Sequence, residues 1–224
     1  MNTMSDNDFP KMLEAWARNL AQRCAADDAN PQPEPETPRS PKPQGPPPFA
    51  LEGVHPQVRA AHAAVAAWLE AAHTRSSRPY WLSLLGVCGC GKTHLLRLAH
   101  RALKNRGCHA QLWLWRCVLD MLHSGASDIM RHLRDIPYLL IDDVGAEFSG
   151  TAKALDFSLG TLCELLDSRI HRWTMLTSNL LMKDLAAEDA RVASRLVRHG
   201  NTLATLDQAQ DYALTQYKAR NTHS

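Results

Sequence analysis

No apolar run in the 224 residues approaches the length a membrane span needs, and the N-terminus has no apolar core of the signal-peptide kind. The six cysteines (Cys24, Cys88, Cys90, Cys108, Cys117, Cys163) are scattered rather than paired. They form no disulfide framework, and no Cys/His set at finger spacing accompanies Cys88-x-Cys90. These absences imply a soluble, cytoplasmic chain in a reducing compartment, without a structural metal. A charge excess of one sign is missing too. The formal net charge is +2, and residues 1–50 carry five Lys/Arg against seven Asp/Glu. Such a balance makes no case for polyanion binding, so nucleic-acid contact has to come from a local patch. There is no internal repeat.

What is present is enough apolar material for a core, with 45% hydrophobic residues. The length suits one α/β domain with a small appendage. Its centre is Tyr80–His94, YWLSLLGVCGCGKTH. The apolar run Tyr80–Leu85 reads as a buried parallel strand. It opens into Gly86, Val87, Cys88, Gly89, Cys90, Gly91, Lys92 and Thr93, followed by His94, which fits GxxxxGK[ST] at every fixed position. A helix pattern follows, with Leu95, Leu98, Ala99 and Ala102 on one face. Strand, glycine loop and helix in that order make a phosphate cradle. Glycines let successive N–H groups curl around a polyphosphate, and the helix N-terminus adds positive dipole. In this reading Lys92 reaches the β/γ-phosphates and the Thr93 hydroxyl ligates Mg²⁺.

Residues 1–30 contain a short amphipathic helix with Phe9, Leu13, Trp16 and Leu20 on one face. Residues 31–48 hold nine of the thirteen prolines and read as a semi-rigid extended spacer. The apolar face of the first helix either packs back on the main domain or, detached by the spacer, suits a partner's groove, the reading the spacer favours. From Phe49 the main domain, 49–224, begins. The patterns predict a helix over His55–His73, a strand over His109–Trp115 and short helices over Cys117–His123 and Asp128–Leu133. A buried strand over Leu139–Asp143, a long helix over Thr151–Ile170 and a strand over Trp173–Thr177 follow. A last helix, Glu188–Arg198, leads into a short tail. Strands alternating with helices predict a three-layer α/β fold, a parallel sheet with helices on both faces.

Two further stretches carry chemistry. Asp142 and Asp143 end a buried strand, where Asp142 suits the metal and Asp143 suits an attacking water. Asn179 ends the next apolar strand, where an amide can reach a γ-phosphate or the water from the other side. Arg191, Arg195 and Arg198 share one helical face. A solvated face is the ordinary explanation; a guanidinium offered to a neighbouring subunit's triphosphate is the sharper one.

As a set, GVCGCGKTHLL (Gly86–Leu96), LLIDDVGAE (Leu139–Glu147), LDSR (Leu166–Arg169), LTSN (Leu176–Asn179) and RVASRL (Arg191–Leu196) resemble the AAA+ ATPases, and within them the DnaC-type helicase loaders. The resemblance covers roughly residues 55–200. It implies that Asp142 and Asp143 form the Walker B pair, Asn179 is sensor 1, and Arg195 is an arginine finger acting in trans within a homo-oligomer. It also implies ATP and Mg²⁺ as ligands, slow partner-stimulated hydrolysis, single-stranded DNA as a partner, and a replicative ring helicase gripped by the N-terminal segment. IstB-like transposition helpers share nearly the same core, and an adaptor that binds ATP without hydrolysing it is a third reading. Against the family pattern, Cys90 replaces the usual Thr or Ser, and the stretch Arg116–Asp135 is short. Asp211-Tyr212 is followed by Ala213 where an arginine is common, and no C-terminal helical lid is expected.

Overall fold

The computed structural model describes residues 54–74, 80–126, 128–145, 152–209 and 211, with side chains from residue 155 onward in the helix that starts at Ala152. The helix and proline-rich spacer predicted for residues 1–48, Glu147, and the tail from Tyr212 lie outside the described residues.

The elements run α1 (Pro56–His73), β1 (Trp81–Gly86), α2 (Lys92–Asn105), β2 (Ala110–Leu114), α3 (Trp115–His123), α4 (Asp128–Asp135), β3 (Tyr138–Val144), α5 (Ala152–Ser168), β4 (Trp173–Ser178), α6 (Met182–Glu188), α7 (Ala190–Val197), a 3₁₀ turn (Arg198–Gly200) and β5 (Thr202–Leu206). The five strands form one sheet in the order β2-β3-β4-β1-β5, every pairing parallel. β1 is buried along its whole length, which explains why its sequence is a continuous apolar run instead of an alternation.

The strand order also sorts the helices. The step from β1 to β2 runs one way across the sheet, and every later step runs the other way. Right-handed crossovers then put α2 on one face and α3 to α7 on the opposite face. Packing agrees. On one side Val58, Ala61, Val65 and Trp68 of α1 join Leu95, Leu96, Ala99 and Leu103 of α2 in one buried cluster. On the other, α5 packs on α4 and α7, and the Trp115 indole of α3 donates to Ser158 Oγ of α5 at 2.9 Å. The predicted three-layer architecture is therefore present.

Three boundaries differ from the sequence expectation. Trp115 starts α3 and does not end β2; it is fully buried, and its hydrogen bond to Ser158 needs the helical side of the junction. The helix expected over Glu188–Arg198 is α7, Ala190–Val197, with Arg198 in the 3₁₀ turn beyond it, and a separate helix that the patterns did not predict, α6, precedes it. Asp189 separates the two with an extended backbone (φ −150°, ψ 102°) and caps α7 by accepting from Arg191 N–H at 2.8 Å. Third, the expected tail contains β5, which pairs with β1 from Leu82↔Thr202 to Gly86↔Leu206. Gly86 is required at that last pairing. A Cβ there would sit 2.4 Å from the Leu206 carbonyl oxygen, which also accepts from Val87 N–H at 3.2 Å. Among the described residues no helix follows β5, and none is long and apolar enough to cross a membrane.

Candidate nucleotide site

Parallel strands bring their carboxyl ends to one edge, and the site is built there. β1 delivers the loop Gly86–Thr93, β3 delivers Asp142 and Asp143, and β4 delivers Thr177 and Asn179. Gly91 adopts a left-handed backbone (φ 98°) as the N-cap of α2, so the chain turns directly from loop into helix. Lys92 is 6% exposed. Its ammonium donates to the carbonyl oxygens of Gly86 at 2.9 Å and Val87 at 2.7 Å, with Cys90 Sγ 3.7 Å away. Cys90 is buried in the core cluster and does not line the cavity, unlike its neighbours Gly89 and Gly91.

Adjacent residues of a regular strand point to opposite faces, so two neighbouring aspartates serving one site need a device. β3 supplies it as a bulge. Ile141 pairs with Leu176 and Val144 with Ser178, leaving one extra residue on β3. Asp143 takes a left-handed conformation (φ 60°) at that point, one that aspartate tolerates better than most residues. The consequence is a closed set of contacts. Thr93 Oγ1 donates to Asp142 Oδ1 at 3.0 Å, and Thr177 Oγ1 donates to the same oxygen at 2.6 Å. Asp143 N–H donates to Thr177 Oγ1 at 2.9 Å, and Asn179 Nδ2 donates to Asp143 Oδ1 at 2.7 Å. Thr177 thus links both aspartates. Sequence reasoning gave it no role, although its place two residues before Asn179 on a buried strand put it on the same face.

These groups surround a cavity of about 460 Å³, lined among others by Gly89, Gly91, Lys92, Thr93, Asp142, Asp143, Thr177 and Asn179. His94 lines it as well; burial, then the nearby Arg101 and Arg97, holds its imidazole below the ordinary range and therefore neutral at pH 7. Leu114 and Arg97 also line the cavity, and the motif analysis named neither. Arg97 lies four residues beyond Thr93, the helical spacing that signals a shared face.

The donor set fits Mg²⁺ carried by a polyphosphate. Thr93 and Asp142 present two hard oxygens at one point, and Mg²⁺ takes few protein ligands, keeping water and phosphate for the rest. Among the described residues no group of three or more His, Cys, Asp or Glu could cage a metal by itself.

Arg195 does not line this cavity. It lies on α7, where Nε and Nη2 donate to the two carboxylate oxygens of Asp167 at 2.8 and 2.6 Å. Arg198 Nη2 donates to Asp167 as well, at 2.8 Å, and Arg191 is tied to Asp189. Hydrogen bonding from Arg195, and then from Arg198, holds the Asp167 carboxyl below the usual carboxylate range. The contribution of a depressed carboxylate is present above its unfolded pKa and lost as pH falls through its folded value. Asp167 is about 43% exposed, so solvent screens the contact and Asp167→Asn should change stability by at most about 1 kcal/mol at pH 7. Thermal melts should show that gap constant from pH 7 to 5 and closing only below about pH 4. A gap that closes above pH 5 would contradict the assignment.

No protein-family model matches the chain. Among solved structures, a DNA replication initiation factor matches at 21% identity and a TM-score of 0.55, over 76% of this chain and 52% of that one. The chain thus spans about half the length of that relative. DnaI matches at 21% identity and a TM-score of 0.51, over 66% of this chain and 83% of that one. A primosome component from Streptococcus pyogenes serotype M3, itself described as putative, matches at 23% identity and a TM-score of 0.51, over 70% and 82%. With its five-stranded parallel sheet and helices on both faces, the chain shares the α/β fold of these three structures.

Proposed function

We propose that this protein is an ATP-dependent helicase loader of DNA replication, in which ATP with Mg²⁺ acts as a switch. The observation that carries the reading is the chain of contacts Thr93–Asp142–Thr177–Asp143–Asn179 around one cavity under the loop. ATP is the substrate, and Mg²⁺ supplies charge neutralisation at the β/γ-phosphates. The loop N–H groups bind and orient the phosphates, and Lys92 moves from its own loop carbonyls onto them. Thr93 and Asp142 hold the metal side. Asp143 accepts the proton of the attacking water, and Asn179 holds the Asp143 carboxylate in position from β4. Arg195 acts on a neighbouring subunit in a homo-oligomer, exchanging Asp167 for a γ-phosphate. Likeness in fold to the replication initiation factor, DnaI and the primosome component supports the replication setting. In this reading residues 1–30 grip the helicase, 31–48 tether that segment, and single-stranded DNA is a second partner.

The test is ATP binding and turnover of the full chain, alone and with single-stranded DNA and a replicative ring helicase, beside Lys92→Ala. Loss of one charge-assisted contact to phosphate should weaken ATP binding by roughly ten- to a hundredfold, and stimulation by DNA or helicase should vanish with it. Turnover indifferent to both partners favours a transposition helper of the same core; ATP binding without turnover favours the adaptor. No binding of ATP at all overturns the nucleotide reading.

A further inference from the structure

The cavity has two permanent cations on its lining, Lys92 and Arg97. Lys92 is buried and bonded to loop carbonyls, whereas Arg97 is exposed on α2. None of the ion pairs among the described residues involves Arg97, while Arg191, Arg195 and Arg198 of the arginine face each hold an aspartate. Two carboxylates, Asp142 and Asp143, face the same space. They offset Lys92 and the metal in part, which leaves a polyphosphate short of positive charge on this side.

Position decides which phosphate Arg97 serves. Its Cα lies one helical turn beyond Thr93, about 6 Å along the axis. Side chains on a helix lean back toward its N-terminus, so a long side chain at 97 covers the turn that carries Thr93. Thr93 in turn donates to Asp142 at 3.0 Å, and Leu114, which pairs in register with Asp142, lines the same cavity. Arg97 therefore stands on the Thr93/Asp142 side of the cavity. In the nucleotide reading above, Thr93 and Asp142 would hold the metal, so the terminal phosphate would fall on that side.

We infer that Arg97 is a γ-phosphate-reading guanidinium acting in cis, a second cationic contact that distinguishes ATP from ADP within one subunit. The inference rests on the nucleotide-binding reading above. It assigns to α2 a job that needs neither a lid helix nor a neighbouring chain. A planar guanidinium suits it because two parallel N–H groups can engage two phosphate oxygens, which an ammonium cannot reproduce.

The experiment measures dissociation constants of Mg-ATP and Mg-ADP, with fluorescent analogues, for the full chain and for Arg97→Ala, Arg97→Lys and Arg101→Ala. Arg101 is exposed on the same helix and does not line the cavity, so it serves as the control. Arg97→Ala should lose about tenfold in ATP affinity and no more than about twofold for ADP. Arg97→Lys should recover only part of the preference, and Arg101→Ala should leave it unchanged. Equal losses for ATP and ADP, or an unchanged ratio, overturn the γ-phosphate role while leaving nucleotide binding intact. A native chain that binds neither nucleotide overturns the parent reading, and this role with it. Because Arg97 is exposed, melting temperatures of the variants should match the native chain, which separates these outcomes from misfolding.

Discussion

Replacing Arg169 by methionine should destabilise the domain by about 4–5 kcal/mol, one of the largest effects any single substitution can have here. Arg169 is fully buried, yet every part of its guanidinium is occupied. Nη1 donates to the carbonyl oxygens of Leu133, Arg134 and Ile136 at 2.7 to 2.9 Å. Those groups are at the C-terminal end of α4 and just beyond it, where helix carbonyls lack partners. Nη2 donates to Trp173 O and Nε to Thr174 Oγ1, at the start of β4. One side chain therefore closes a helix end and fastens it to a central strand. Trp81 Nε1 completes the junction by donating to the Arg169 carbonyl at 3.1 Å. Burial, and then the nearby Arg172, brings the guanidinium down to about 9, so it is still a cation at neutral pH. Methionine keeps the length and volume but donates nothing, leaving several buried acceptors unsatisfied at about 1–3 kcal/mol each. For a domain of this size the loss corresponds to a fall in Tm of roughly 10–15 °C, read by circular dichroism. Arg169→Lys should do less harm but still cost about 2–3 kcal/mol, because an ammonium cannot span three carbonyls on one side and a strand on the other. A Tm within about 2 °C of the native value for Arg169→Met would contradict this account.

Arg169 also shows where sequence reasoning reaches its limit. It belongs to the LDSR stretch that contributes to the family resemblance, where it was given no role of its own. The structure puts it at the end of the sheet opposite the phosphate loop. Trp173 and Thr174, which it holds, begin β4, whereas Ser178 ends β4 near the phosphate loop. At about 3.3 Å per residue the separation is roughly 15 Å. Motif membership said that the arginine matters without saying why. The phosphate loop was legible because its physics is local: a strand, glycines, a lysine and a helix start follow one another within fifteen residues. That Thr93, Asp142, Asp143 and Asn179 belong to one place was legible, and they line one cavity, but the bulge that brings both aspartates to it was not. Bulges depend on strand register, which needs the partner strand. β5 was missed for a related reason. Thr202–Leu206 is five residues with one fully buried side chain, Leu206, and becomes a strand only because β1 is beside it. Arg97 lies beyond the motif's last fixed position, so only its helical spacing from Thr93 points to the cavity it lines.

Asp143→Asn should lower ATP turnover by roughly two to three orders of magnitude while ATP affinity changes by less than about threefold. The substitution is chosen for the backbone as much as for the chemistry. Asp143 sits at φ 60°, and asparagine adopts that region as readily as aspartate, so the bulge survives. Its amide oxygen still accepts from Asn179 Nδ2, and its N–H still donates to Thr177 Oγ1. What disappears is the negative charge that takes a proton from water. Binding is spared because the metal side of the cavity rests on Thr93 and Asp142, whose contact does not pass through the Asp143 carboxylate. Asp143→Ala would confound the result, since it combines loss of the acid with a side chain disfavoured at positive φ. Asn179→Ala provides the complementary arm. It leaves the charge but frees the carboxylate from its holder, so turnover should fall less, by about tenfold, with the same tolerance in affinity. The double variant should then be little worse than Asp143→Asn alone, because two residues acting through one water are not additive. Full turnover in Asp143→Asn would remove this aspartate from the chemistry and reduce the Asp143–Asn179 contact to a support for the bulge.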